Sequence, residues 1–312
     1  MRTIGSEEGI ELWAPAKLNL FFEILGRRGD GYHEVQSLML PINLYDTLSV
    51  RRTSSLPLRL ECRVADPYRP AVGGELAEGR ATIGLPDVES NLVYRAMALV
   101  ARHRPDGGTW QARLVKRIPS AAGLGGASSD AAALLMAAGR LLDPAEPAER
   151  LREWGAALGS DVPFFLDRQA GWCHGRGEMV EPLSGLPLLH FVVVKPPVGL
   201  STPEVYGQVR VPAEPRDVEP LLWSLRRGRL SDAGRRLFNR LTEAAETLTP
   251  WVARIRGVFQ RMDVLGHQMS GSGTSYFGLC YNAGHATRVA SRLRSQRLGS
   301  VYAVRSLHQT VA

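Results

Sequence analysis

Hydrophobic positions along this chain change period several times, and each change marks an element. Ile10–Ala14 and Leu18–Leu25 are apolar runs of strand length, and the second closes at Gly26-Arg27-Arg28-Gly29-Asp30-Gly31, a turn signal. Thr47–Arg52 and Leu58–Val64 alternate apolar with polar residues, as half-buried strands do. Asn91–His103 has the 3.6-residue period of an amphipathic helix, and Trp110–Ile118 reads as a strand. An Ala-rich helix follows over Ala131–Leu142, a break at Asp143-Pro144, and a second helix from about Ala148 to Leu158. Gly159-Ser160-Asp161 is a tight turn before Val162-Pro163-Phe164-Phe165.

Farther on, Leu188–Lys195 is a buried strand ending at Pro196-Pro197, and Val205–Arg240 holds short helices joined by Pro-rich links. Thr242–Met262 is helical, with Pro250 breaking or starting an element. Tyr276–Cys280 is a strand, His285–Leu293 a helix and Ser300–Arg305 a closing strand. Asp66–Asp87 is rich in Pro and Gly without a period; it reads as a long excursion with no assigned role. Strands and helices mix without strict βαβ alternation, which favours α+β, and 312 residues suit two packed domains.

Composition narrows the function classes. Hydrophobic content of 44% and charged content of 22% are ordinary for a globular protein, and no run approaches the roughly 20 apolar residues of a membrane span. Met1–Glu11 is polar and acidic, unlike a signal peptide, so the expected location is cytoplasmic, without a membrane partner. Cys62, Cys173 and Cys280 are scattered, which argues against a disulfide framework and against zinc. The net charge is +7, and of the 38 basic residues only Lys17, Lys116 and Lys195 are lysines. The arginines are spread along the chain without an aromatic-rich platform, so the charge reads as a solvated surface that helps collect anionic substrates, with no nucleic acid expected.

Candidate chemistry centres on Pro119-Ser120-Ala121-Ala122-Gly123-Leu124-Gly125-Gly126-Ala127-Ser128-Ser129, between a strand and the Ala-rich helix. Small residues allow close backbone approach, and a helix start offers N–H groups and a positive dipole end, so the run suits phosphate. No Gly-Lys-Ser/Thr ends it, which excludes a P-loop. Two more segments join it: Pro15-Ala16-Lys17-Leu18-Asn19-Leu20 and the small-residue turn Ser270-Gly271-Ser272-Gly273-Thr274-Ser275.

In this order the three segments resemble the GHMP kinase superfamily. Arg28-x-Asp30-Gly31-Tyr32-His33-Glu34 and Gly159-x-Asp161-Val162-Pro163-Phe164-Phe165 narrow the resemblance to its kinases of 4-diphosphocytidyl-2-C-methyl-D-erythritol, over about Ile10–Arg305. The resemblance implies a two-lobed α+β fold with its active site in the interdomain cleft: an N-terminal ATP-binding and catalytic domain over 1–168 and a C-terminal domain over 169–312 that contributes to substrate binding. It implies transfer of the γ-phosphoryl group of ATP, with magnesium, to the 2-hydroxyl of the cytidylyl substrate, on the non-mevalonate route to isoprenoids. It makes Lys17 and Asp161 the catalytic pair and Pro119–Ser129 the ATP phosphate loop. Asn19, Tyr32, His33, Thr202 and Tyr206 become substrate residues; none is assigned to metal.

Physical chemistry fits these roles and leaves others open. Phosphoryl transfer needs positioning and charge neutralisation, which a compact ammonium such as Lys17 supplies. Asp161 suits a base, an electrostatic anchor or a helix N-cap before Val162-Pro163, and Lys17 also suits a snorkelling strand lysine. Tyr32 suits a pyrimidine stack or a ring capping the sheet. Ser128 and Ser129 suit N-caps that also face phosphate or magnesium. A kinase of another small alcohol, such as homoserine or mevalonate, and a non-catalytic nucleotide- or nucleic-acid-binding module are the alternatives. The chain departs from the family pattern at Ala121, Ala122 and Ala127, where glycine is usual; alanine there needs negative φ or a reshaped loop.

Overall fold

The structure, a computed structural model, describes residues 3–6, 9–53, 57–65, 88–104, 108–142 and 145–307. The Asp66–Asp87 excursion and the Asp143-Pro144 break lie outside the described residues. The elements run β1 (Thr3–Ser6), β2 (Gly9–Arg27), β3 (His33–Thr53), β4 (Arg59–Val64), α1 (Leu92–His103), β5 (Thr109–Lys116), α2 (Gly126–Leu141), α3 (Ala148–Leu158) and α4 (Val162–Asp167). There follow β6 (Gly171–His174), β7 (Met179–Pro182), β8 (His190–Lys195), α5 (Thr202–Gly207), α6 (Glu219–Arg226), α7 (Leu230–Arg235) and β9 (Phe238–Asn239). The chain ends with α8 (Leu241–Leu248), α9 (Pro250–Phe259), β10 (Gly266–Met269), β11 (Tyr276–Cys280), α10 (Ala283–Ser295) and β12 (Ser300–Arg305). It divides into two compact units, one of 1–16, 44–118 and 126–166, the other of 17–43, 119–125 and 167–312.

In the first unit β5 pairs antiparallel with β3 (Thr47↔Val115) and parallel with β4 (Arg59↔Gln111). Alternation along these strands buries Leu48 and Val50 on β3 and Trp110, Ala112 and Leu114 on β5. Helix α1 buries Val93, Ala96, Met97 and Val100, the stripe that its period predicts; the Asn91 side chain caps it by accepting from Val93 N. Helix α2 packs on both α1 and α3. Its alanines are buried on most of its surface, and Gly139 lies where a Cβ would stand 2.9 Å from Leu151.

The second unit is built on an antiparallel sheet of order β10-β11-β8-β12. Val192 and Val194 of β8 join Ile255, Phe259, Val289 and Leu293 from α9 and α10 in one core. Here too β6 pairs with residues 37–39 of β3 and hairpins with β7, and the short β9 lies parallel to Phe21-Phe22 of β2. Thr249 caps α9 through its side chain and Pro250 takes the first helical position, which resolves the role of that proline as a start.

Two expectations are corrected. The runs 10–14 and 18–25 are one strand, β2, because Pro15, Ala16 and Lys17 stay extended and the fixed φ of proline is compatible with that. Helix α2 begins at Gly126 rather than Ala131, so Ser128 and Ser129 lie inside its first turn and do not cap it from outside. Glycine is needed at that start, since a Cβ on Gly126 would stand 2.9 Å from Ile118.

Candidate active site

Within the second unit four segments are laced around Lys17. The backbone N–H of Lys17 donates to Leu124 O (2.9 Å), that of Ser275 to Ala122 O (3.1 Å), and Ser270 Oγ donates to Gly123 O (3.0 Å). Residues 119–125 of the glycine-rich loop are thereby tied to β2 and to the 270–275 turn. Ala121 (φ 47°), Gly123 (φ 71°) and Gly125 (φ 70°) take the left-handed conformation, whereas Ala122 and Ala127 do not. Of the three alanines only Ala121 therefore carries backbone strain, of about 1–2 kcal/mol. At Gly123 no side chain is possible without movement, since a Cβ would fall 2.0 Å from Ser270 O. The segment after β8 also belongs here. Thr274 Oγ1 donates to Val198 O (2.7 Å), the Thr202 and Ser272 hydroxyls are 2.9 Å apart, and a Cβ on Gly199 would stand 2.7 Å from that of Ala121.

Lys17 is 4% exposed and its ammonium donates to Asn19 Oδ1 at 2.5 Å. Asn19, 1% exposed, donates through Nδ2 to Ser37 Oγ (2.8 Å), and Ser37 Oγ donates to Phe21 O (2.9 Å). Asn19, a residue expected to hold substrate, is also a hydrogen-bond partner of Lys17. Three residues missed by sequence reading complete the frame. Gln268 donates to Asn19 O (2.6 Å), Ser37 bridges β2 and β3, and Asn239 donates to both Met269 O and Gly271 O (2.8 Å each). Gly271 needs its lack of a side chain, because a Cβ would come within 3.1 Å of Lys17 Nζ. Buried amides lack a short-range sequence signature; their partners lie some 30 to 250 residues away.

The residues expected to hold substrate, Tyr32, His33, Thr202 and Tyr206, also belong to this unit. Asp30 accepts from Tyr32 N (3.1 Å) and from Arg28, and these hydrogen bonds hold its carboxyl below the usual carboxylate range. With Gly31 at φ 87°, the turn presents Tyr32 at 54% exposure. The His33 and Tyr206 rings lie 5.2 Å apart, and Phe22 meets Tyr206 edge-on. Burial, with the charge of Arg27, lowers the His33 pKa, so at neutral pH its imidazole both donates and accepts.

Asp161 belongs to the first unit, directly before α4, in a turn closed by Val162 N donating to Gly159 O (3.1 Å). Gly159 lies 4.0 Å, measured from its Cβ position, from Ser128 Oγ in the first turn of α2. Beside that turn lies a cluster that sequence reading also missed. Buried Lys116 donates to Asp130 Oδ2 (2.6 Å) and to Asp46, while Asp46 Oδ1 accepts from the N–H groups of Arg117 and Ile118. Burial pulls the Lys116 ammonium down, but Asp130 and Asp46 outweigh it and the net shift is upward. Burial pushes the Asp130 carboxyl up against the opposing pull of Lys116. Ser129 Oγ is buried without a hydrogen-bond partner. Oxygen donors of this kind fit the hard-ligand chemistry of magnesium, though among the described residues no group of three His, Cys, Asp or Glu gathers as a metal cage. Among them, too, no helix is long and apolar enough to cross a membrane.

Residues 91–168 match the GHMP kinases N terminal domain and residues 221–297 the GHMP kinases C terminal. The 4-diphosphocytidyl-2-C-methyl-D-erythritol kinase of Pelotomaculum thermopropionicum is 38% identical over 286 residues, 90% of this chain and 92% of that protein. The enzyme of the same name from Rhodopirellula baltica is 38% identical over 298 residues, 90% of each chain. A crystal structure of 4-(cytidine 5'-diphospho)-2C-methyl-D-erythritol kinase superposes with a TM-score of 0.76 at 36% identity, covering 96% of this chain and 100% of that one. A homoserine kinase from Cytophaga hutchinsonii, 19% identical with a TM-score of 0.70 over 97% of this chain and 96% of its own, shares the fold. The chain is an α+β GHMP kinase and belongs to the family of the 4-diphosphocytidyl-2-C-methyl-D-erythritol kinases.

Proposed function

We propose that this kinase transfers the γ-phosphoryl group of ATP to the 2-hydroxyl of 4-diphosphocytidyl-2-C-methyl-D-erythritol, on the non-mevalonate route to isoprenoid precursors. The observation that carries this reading is similarity to enzymes of that name over nine-tenths of the chain. The Asp30-Gly31-Tyr32-His33 turn, which presents an exposed aromatic ring, adds local support. The domains divide functionally into 1–168, for ATP binding and catalysis, and 169–312, which contributes to substrate binding, and the reaction is assigned to the cytoplasm with no nucleic-acid or membrane partner.

In this reading the loop 119–129 holds the ATP phosphates on backbone N–H groups, which cost no reorganisation as charge develops. Lys17, oriented by Asn19, offers a fixed ammonium to the transferring phosphoryl oxygens. Asp161 accepts the proton of the attacking 2-hydroxyl as the phosphorus–oxygen bond forms, and ADP leaves with the electron pair of the cleaved bond. Tyr32 stacks on cytosine, neutral His33 hydrogen-bonds its polar edge, and Tyr206 and Thr202 complete the substrate contacts. Magnesium, when bound, neutralises phosphate oxygens, and Ser128 and Ser129 are the residues that would hold it.

A panel of alcohols tests the reading. Coupled ADP release should occur with the cytidylyl substrate and not with homoserine, mevalonate or phosphomevalonate. Turnover of one of those instead, or salt-sensitive nucleic-acid binding without turnover, would contradict it.

A further inference from the structure

The turn joining β6 to β7, Gly175-Arg176-Gly177-Glu178, drew no attention in the sequence. Gly175 (φ 69°) and Gly177 (φ 107°) give it a left-handed path. Gly175 O accepts from Val35 N (2.8 Å) and Gly175 N donates to Glu34 Oε1 (3.1 Å), so the turn is pinned to the residues that follow His33. Arg28 holds the other oxygen of Glu34 at 2.8 Å. Glu178 in turn fixes Arg176, accepting from its backbone N–H at 2.6 Å with a carboxylate oxygen 3.6 Å from Nε. The guanidinium carbon of Arg176 then lies over the Tyr32 ring, 4.9 Å from its centroid.

This arrangement addresses a specific problem. The Tyr32 backbone is fixed by Asp30 and by Arg28 N donating to Tyr32 O (2.8 Å), yet its ring stands largely in solvent. An exposed ring samples several rotamers, and a ligand that stacks on it must bear the cost of ordering it. A cation held over one face orders the ring beforehand and leaves the opposite face for a flat group. Among the described residues no other ring or guanidinium lies over Tyr32.

We propose that Arg176 is a positioning residue for pyrimidine-nucleotide recognition: from the β6–β7 turn it holds Tyr32 in the orientation that stacks the base. The proposal rests on the function proposed above and assigns Arg176 no contact with the reacting atoms. A cation–π pair at an exposed site corresponds to roughly a two- to fivefold change in affinity.

The test titrates wild type, Arg176→Met, Arg176→Lys, Tyr32→Leu and the Arg176→Met/Tyr32→Leu double variant with CDP and with cytidine, following chemical shifts. KM for each of the two kinase substrates and Tm are measured alongside. Arg176→Met should weaken CDP and cytidine alike by about two- to fivefold. It should raise KM for the cytidylyl substrate but not for ATP and leave Tm unchanged; Arg176→Lys should recover part of the loss. In the Tyr32→Leu background Arg176→Met should add nothing. Unchanged affinity, an equal loss in that background, a loss confined to CDP, or a fall in Tm with both KM values raised would each overturn the role of Arg176. Absence of CDP binding by the wild type would instead sink the functional reading.

Discussion

Asn239 offers a sharp test of how the Lys17 site is held. Its side chain is 6% exposed and serves three backbone groups: Nδ2 donates to Met269 O and Gly271 O at 2.8 Å each, and Oδ1 accepts from Leu241 N at 2.9 Å. Asn239→Ala removes all three bonds and leaves buried carbonyls unserved, at roughly 1 kcal/mol or more per group and about 3 kcal/mol together. For a chain of this length that corresponds to a Tm lower by roughly 5 °C. Asn239→Asp keeps the acceptor for Leu241 but turns a carboxylate toward two carbonyl oxygens, so it should cost more than alanine despite its closer shape. Because Gly271 closes over the Lys17 ammonium, both variants should also lower kcat, by roughly tenfold, through misplacement. Thermal unfolding and coupled ADP release on the three proteins decide the matter. An Asn239→Asp variant as stable as the wild type, or more stable than Asn239→Ala, would refute the assignment of the amide as the double donor that fastens the turn.

Three further outcomes follow from the same geometry. Gly123→Ala places a methyl 2.0 Å from Ser270 O at a left-handed position, so ATP turnover should fall by roughly a hundredfold; activity within threefold of wild type would show that loop and turn are not interlocked. Lys116→Met leaves buried Asp46 and Asp130 without their cation and should destabilise by about 3–5 kcal/mol, whereas adding Asp46→Asn and Asp130→Asn should restore much of the loss in urea unfolding. A triple variant no better than the single one would contradict this ion-pair account. His33, His190 and His267 all have pKa values lowered chiefly by burial. The unfolded chain then binds protons first, so stability is full above about 6.5 and is lost as pH falls through the lowered values. Tm should drop between pH 7.5 and 5, and less so in His267→Gln; a flat profile would oppose it.

Most elements were legible because burial imposes a period that sequence preserves. Helix α1 shows its stripe and its Asn91 cap, and β5 and β12 are bounded within two residues of their expected ends. The pieces that failed are those whose shape is set by distant contacts. Helix α2 starts among glycine, alanine and serine, which read as loop until Ile118 is seen against Gly126. The two-residue β9 exists because it docks on Phe21-Phe22 of β2. For the site, Lys17, the glycine-rich loop and the Ser270–Ser275 turn are contiguous motifs and were visible. Asn239, Gln268, Arg176 and the Lys116 cluster were not, because an isolated Asn, Gln or Arg says nothing about the partner its fold supplies.

The most direct measurement is coupled ADP release with ATP, magnesium and 4-diphosphocytidyl-2-C-methyl-D-erythritol on the wild type, Lys17→Ala and Asp161→Asn, with ATP binding measured on all three. The account predicts wild-type turnover that collapses in both variants, by roughly a thousandfold or more, while the proteins stay folded and still bind ATP. A wild type that binds ATP but leaves this substrate untouched, or variants that turn over at the wild-type rate, would contradict it.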